Sequence, residues 1–242
     1  MKKTYAKGSP EWRELFYDND VRAMMTPEHE FNSVDILGDI SALVDPERPK
    51  VLITGTRNMS LYGASAVRDV INALAENPNT PVVVSGLAVG IDTSVHRAAL
   101  EAGLPTVAVL PSGIDTVYPA MNQRLAEKII SKAGCCLLSQ FPEGTKPNAT
   151  NMLLRRKVMA MISDVAVIPE TAIKGAAMLI AYYMDERNRR VFAVPGRLGD
   201  IQSEGCNQLI ERNVAEIYTG EYGRSFLKNL SVLRKSNEYL YK

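Results

Sequence analysis

The chain has 242 residues, 46% hydrophobic and 23% charged, with a formal net charge of +1. That composition supports one ordinary globular core, and the near balance of charge means that any nucleic-acid surface must come from local clustering. Its three cysteines, Cys135, Cys136 and Cys206, have neither C-x-x-C metal spacing nor the makings of a disulfide framework, so they read as reduced thiols in a cytoplasmic protein.

No signal peptide is expected at the start, because the basic residues 1–7 run into Gly8-Ser9-Pro10-Glu11 and not into an apolar segment. No apolar run approaches the roughly 20 residues of a membrane span. Residues 1–45 are polar and mixed and are read as an N-terminal extension. Residues 11–17 could form a short helix there, with Trp12, Leu15 and Phe16 facing a core. A strand is expected over 50–54, ending at Gly55, and a helix over 61–75, stopped by Asn77-Pro78. Residues 82–84 form the next strand and 93–102 a helix closed by Gly103. A strand over 106–110, a Pro-bounded loop to Pro119, a helix over 122–132 and a strand over 135–138 follow. Helices over 153–162, 176–187 and 204–212 then alternate with strands over 165–168 and 191–194.

Short, continuously apolar strands alternating with helices predict an α/β fold: a doubly wound, mainly parallel sheet with helices on both faces. The domain is expected to span 46–220, and 221–242 to form a C-terminal tail. In such sheets ligands bind beyond the carboxyl ends of the strands. The loops there carry Gly55, Thr56 and Arg57, then Ser85-Gly86-Leu87-Ala88-Val89-Gly90-Ile91-Asp92, and finally Lys174 and Gly175.

The second of these loops reads as a strand that breaks into a glycine turn and re-enters a helix. Gly86 and Gly90 permit close backbone approach or positive φ, and Asp92 is a candidate N-cap. A glycine turn at a helix N-terminus is a candidate phosphate cradle, and its plain alternative is a tight connection without a ligand. Arg57 could fork onto a phosphate or simply pair with a surface carboxylate. Arg155, Arg156 and Lys157 open a helix as a basic run, which most often is a solvated face. Lys174 could reach a phosphate at the helix that follows it. His96 lacks a nucleophile or carboxylate signature, and Asp115 suits a turn cap better than acid–base chemistry. With no paired carboxylates and no metal spacing, neither an enzyme nor a cofactor is expected.

The spacing after the first strand excludes a G-x-G-x-x-G fingerprint, and no P-loop is present. Six segments in order instead resemble the DNA-processing protein A family (DprA, also called Smf). They are Ile53-Thr54-Gly55-Thr56-Arg57, residues 85–92, Val95-His96-Arg97-Ala98-Ala99-Leu100, residues 108–119, Phe192-Ala193-Val194-Pro195-Gly196 and residues 203–210. The resemblance covers about 50–217. It implies a Rossmann-like, non-catalytic protein that binds single-stranded DNA, forms a homodimer and helps load a RecA-type recombinase during DNA uptake. The phosphate contacts it implies lie among Gly55, Thr56, Arg57, Ser85, Gly86, Gly90, Arg155, Arg156, Lys157, Lys174 and Gly175.

The dimer would use the later part of the domain, with residues 191–194, Leu209, Ile210 and the tyrosines Tyr218, Tyr222, Tyr239 and Tyr241. Three departures from the family pattern stand out: Val89 in place of an arginine, Met152-Leu153-Leu154-Arg155-Arg156-Lys157 in place of F-P-x-R-N-R, and Gly175-Ala176-Ala177 in place of S-G-S. They keep open a nucleotide-binding sensor, and the broad Rossmann-like group adds a second alternative, a nucleoside-monophosphate phosphoribohydrolase of the lysine-decarboxylase-like group. The second would need P-G-G-x-G-T-x-x-E, where this chain has Pro169-Glu170-Thr171-Ala172-Ile173-Lys174-Gly175.

Overall fold

Four-residue strands with three or four apolar residues each, buried along their whole length, make the centre of the sheet. They are β3 (Lys50–Ile53), β4 (Val82–Ser85), β5 (Thr106–Val109), β6 (Cys136–Ser139) and β7 (Val165–Ile168). A strand with apolar side chains at successive positions must be covered on both faces, and a parallel arrangement with crossover helices does that. The computed structural model describes residues 1–16 and 24–231.

The remaining strands are β1 (Lys2–Ala6), β2 (Ser33–Gly38), β8 (Val191–Ala193) and β9 (Glu216–Ile217). The helices are α1 (Pro10–Leu15), α2 (Leu61–Ala75), α3 (Ile91–Glu101), α4 (Gln123–Ile130), α5 (Ala149–Met161), α6 (Ala176–Asp185), α7 (Glu204–Glu211) and α8 (Tyr222–Lys228).

The nine strands form one sheet in the order β1-β2-β6-β5-β4-β3-β7-β8-β9. Pairing is parallel from β6 through to β9 and antiparallel for β1 with β2 and β2 with β6. The chain winds one way from β3 to β6, then returns past β3 and winds the other way from β7 to β9. The expected doubly wound α/β fold is the one found.

Alternate residues of each strand feed opposite layers. Val51 and Ile53 of β3 pack with α2 and α3, while Leu52 packs in the layer that holds Val158 of α5 and Ala181 of α6. Helix α2 has the expected bounds. Helix α5 begins four residues before the expected start, because the Asn148 side chain accepts from the Asn151 amide and caps it there.

The first 45 residues add two strands to this sheet. In β2, Val34 and Ile36 are buried while Ser33 and Asp35 are partly exposed, the alternation of a half-covered antiparallel strand. Lys2 of β1 bridges Asp35 at 3.1 Å and Glu143 at 3.0 Å. Helix α1 starts at Pro10 under a Ser9 cap and buries Trp12 and Leu15. The rings of Trp12, Phe16 and Phe31 meet at 4.6 to 5.4 Å between centroids. Tyr17, the end of the expected helix, lies outside the described residues.

At the other end, α8 docks on α2. Tyr218 donates to Asp69 at 3.0 Å, Arg224 pairs with the same carboxylate, and Asn77 donates to the Leu227 carbonyl at 2.7 Å. Tyr239 and Tyr241, expected at a dimer interface, lie outside the described residues. Among the described residues no helix is long and apolar enough to cross a membrane, and no cluster of side chains could hold a metal ion.

Candidate functional site

Strands β3 and β7 are neighbours whose crossover connections leave in opposite directions, so a crevice opens at their carboxyl ends. A cleft of about 550 Å³ lies there. Thr54 to Arg57 after β3 form one wall, Ala88 and Asp92 a second, and Met152, Arg155 and Arg156 of α5 a third. The start of α6, Gly175 to Ala177, closes it.

Three guanidiniums converge on this space. Arg155 is only 6% exposed. Its Nη1 donates to the Gly86 carbonyl at 2.6 Å, and its Nε is buried without a hydrogen-bond partner. Burial pulls its pKa down to about 10, with Asp92 opposing the shift and Arg156 and Arg57 adding to it, so the group stays charged at neutral pH. Arg156 is lowered by burial and by the neighbouring Arg57. Arg57 is exposed and lies over the Met152 thioether at 3.4 Å. Cations that lower one another's pKa are held together against repulsion, and an anion among them would relieve it.

The glycine turn after β4 is built differently from the expected cradle. Asp92 sits in the first turn of α3 but is not its cap, a position taken by Gly90. The carboxylate is buried and faces inward, accepting from the Thr54 hydroxyl at 2.7 Å and the Ala88 amide at 3.3 Å. Burial pushes its pKa up, against Arg155 and the Thr54 hydrogen bond. The Ile91 amide donates to the Thr56 carbonyl and the Thr93 amide to the Ala88 carbonyl. The amides of Ala88, Ile91 and Thr93 are therefore used within the protein, the first of them by Asp92.

Gly90 has φ +80°, and a Cβ there would fall 2.4 Å from the Thr56 carbonyl oxygen. Gly86 serves close approach and not positive φ, and the left-handed residue beside it is Leu87 at φ +59°. Ser85 is fully buried and donates to the Ile53 carbonyl at 2.7 Å, so it braces the strand and is out of reach of a ligand.

The open donor end is at α6. Gly175 caps this helix without a side-chain bond, which leaves the first amides, those of Ala176 and Ala177, facing the cleft. Uncapped amides and the helix dipole favour an anion there. Of the other expected contacts, Gly55 must be glycine, since a Cβ would fall 2.4 Å from the Glu170 carbonyl oxygen. Thr56 donates to Gln202, a partner from the loop after β8 that sequence reasoning missed. Lys174 is exposed beside the cleft and not part of its lining. Lys157 turns away from it: its ammonium donates to the Met24 carbonyl and lies over the Tyr183 ring.

Groups weighed for catalysis are engaged elsewhere. Both Glu170 carboxylate oxygens accept from Ser60, at 2.5 and 2.9 Å, at the start of α2. His96 is buried against Thr106 at 2.8 Å, and burial pulls its pKa down to about 3. Asp115 accepts from the Gly144 amide at 3.0 Å and ties two loops together.

The family model for DNA recombination-mediator protein A matches residues 36–227. The chain is 35% identical over 173 residues to DNA processing protein DprA of Streptococcus pneumoniae, covering 72% of this chain and 60% of that protein. It is 36% identical over 173 residues to Protein Smf of Synechocystis, covering 72% of this chain and 42% of that one. The chain thus spans about half the length of the curated relatives it matches. Among solved structures, that of the S. pneumoniae protein superposes with a TM-score of 0.79 at 30% identity, over 93% of this chain and 73% of the other. DNA processing protein A of Helicobacter pylori, whose structure concerns its single-stranded DNA binding mode, has the same fold. Its TM-score is 0.76 at 24% identity, over 94% of this chain and 95% of the other.

Proposed function

The chain belongs to the DNA recombination-mediator protein A family, and from that premise we propose that it binds single-stranded DNA in the cleft between β3 and β7. The observation that carries the proposal is the convergence of Arg57, Arg155 and Arg156 on the uncapped start of α6. The one carboxylate among them, Asp92, is already held by Thr54 and Ala88.

Phosphate is the group such a site takes. Guanidiniums fork onto it, and helix-start amides add donors without a desolvation cost of their own. Phosphate contacts carry no base information, so sequence preference is weak and salt dependence steep. Single strands are favoured over duplex because Arg155, which lines the cleft, is almost wholly buried. A flexible strand can present one phosphate that deeply, whereas the regular cylinder of a duplex meets only the rim. The H. pylori relative, which binds single-stranded DNA, supports the same reading. The family's usual hydroxyl donors at α6 are replaced by Gly175 and Ala177 here, which leaves recognition to the amides and to the added charge of Arg156.

The wider role follows from the family. We propose that the protein acts in the cytoplasm in DNA uptake or recombination, as a homodimer that helps load a RecA-type recombinase on the bound strand. Light scattering on a sizing column tests the dimer, and a monomer mass at tens of micromolar protein excludes it.

Fluorescence anisotropy with single-stranded and duplex oligonucleotides at two salt concentrations tests the site. Tighter single-strand binding is expected, weakened about 1–3 kcal/mol by Arg57→Ala, the loss of one charge-assisted contact. A cleft of about 550 Å³ also has the size of a mononucleotide site. Tight binding of a free mononucleotide with no binding of either oligonucleotide would replace this proposal with the sensor reading.

A further inference from the structure

Helices α3 and α4 lie side by side, and between them runs a second groove of about 370 Å³. Arg97 and Glu101 of α3 line it, together with Arg124 and Lys128 of α4 and Met121 just before that helix. Arg97, Arg124 and Lys128 are all exposed, and none forms an ion pair with a described residue. Arg124 and Lys128 stand one turn apart on the same helix face, a like-charge pair that works against the helix. The nearby acid Glu127 is held by Gln123 at 3.1 Å. Glu101 is therefore the only acid in a lining that carries three cations. Met121, 76% exposed, stands at the head of the groove.

A buried link joins the walls of the groove and the cleft. Asn122, next to Met121, donates to the Leu87 carbonyl and to the Thr93 hydroxyl, both at 2.8 Å. Leu87 adjoins Ala88, which walls the cleft. Along α3, Arg97 lies five residues beyond Asp92, roughly 8 Å of helix axis. Two groups of three cations thus line separate spaces, Arg57, Arg155 and Arg156 the cleft and Arg97, Arg124 and Lys128 the groove.

We propose that this groove is a second contact surface for the same strand. The sugar-phosphate backbone leaving the cleft crosses the turn at Ala88 to Gly90 and runs between α3 and α4, where Met121 offers a polarizable surface to a base. This inference rests on the cleft binding single-stranded DNA. A strand too short to leave the cleft cannot use the groove, so length separates the two sites.

The test is anisotropy of the full chain with labelled oligothymidylates of about 2 and about 25 nucleotides over a salt series. Each lost phosphate contact to a single strand lowers the slope of log affinity against log salt by about 0.7. The double variant Arg124→Ala, Lys128→Ala is expected to flatten the long-strand slope by about 1.4 and weaken that binding about tenfold at low salt. Its short-strand binding is expected to match the unmodified protein. Arg57→Ala is expected to weaken both lengths. An unchanged long-strand slope in the double variant, with Arg57→Ala still weakening both lengths, overturns the groove and leaves the cleft standing. Equal losses at both lengths in the double variant also overturn the groove as a separate contact. Failure of the unmodified protein to bind either length overturns both.

Discussion

Asp92 and Arg155 close on Gly86 from two sides: a Cβ built on that glycine would lie 2.8 Å from Asp92 Oδ2 and 2.9 Å from Arg155 Cζ. The two charged groups come from α3 and α5, helices on opposite faces of the sheet, and the glycine lets them share one buried space. The carboxylate holds the turn shut from within, and the guanidinium is left with a free Nε at the cleft. The Gly86 carbonyl accepts from Arg155 and so fixes the guanidinium at the turn.

Gly86→Ala should therefore damage binding through Arg155 and not through the backbone. The methyl group must displace either the guanidinium or the carboxylate, an overpacking that costs about 1–3 kcal/mol of stability. Urea unfolding should report that loss, and oligonucleotide affinity should fall with it. Full affinity at reduced stability would mean that Arg155 is not a contact.

Arg57 and Arg155 should separate cleanly when each is replaced by alanine. Arg57 is exposed and its one side-chain hydrogen bond among the described residues goes to the Met152 thioether, so its loss should leave the melting temperature nearly unchanged while weakening DNA binding. Arg155→Ala removes a buried charge-assisted bond to the Gly86 carbonyl, worth about 1.5–3 kcal/mol, together with the charge that opposes the burial of Asp92. Thermal unfolding of the two variants checks this, and equal melting temperatures would contradict a structural role for buried Arg155.

The centre of this fold was legible because its strands are short, apolar and continuous. Residues 165–168 and 61–75 have the same limits in the sequence reading and in the structure. The antiparallel edge was not, although Val34 and Ile36 carry the alternation that could have revealed β2. β1 reads Lys-Lys-Thr-Tyr-Ala and keeps most of its surface exposed, so no apolar periodicity marks it. Within the site, the basic run at 155–157 pointed to the right helix but could not say which residues face the cleft. That depends on the phase of α5, fixed by the Asn148 cap and by burial of Leu154 and Val158. Asp92 is not the cap the sequence suggests because its partner, Thr54, lies 38 residues earlier, just past the end of β3.

His96 should make stability fall with acid. Its folded pKa of about 3 lies below the ordinary 6.5, so the unfolded chain takes up the proton first as pH drops. Its contribution is complete above 6.5 and is lost progressively between 6.5 and about 3, at up to about 1.4 kcal/mol per pH unit. His96→Leu removes the titration and leaves Thr106 its bond to the Val83 carbonyl. Urea unfolding from pH 7 to 4 should show a shallower pH slope in the variant, whatever its stability at pH 7. Identical slopes would mean that His96 is not held neutral.

Arg156 and Lys157 give the sharpest test of the geometry, because they are adjacent in sequence and carry the same charge. Any argument from composition or net field predicts equal losses when either is replaced by alanine. The structure predicts otherwise. Arg156 lines the cleft and shares the field of Arg57, whereas Lys157 donates to the Met24 carbonyl and packs over Tyr183. Arg156→Ala should weaken single-strand binding and flatten its salt slope by about 0.7, the share of one phosphate contact. Lys157→Ala should keep the slope and lower stability by about 1 kcal/mol through the lost bond to Met24. Salt titrations of the two variants in parallel decide it, and matching slopes would place Lys157 on the strand after all.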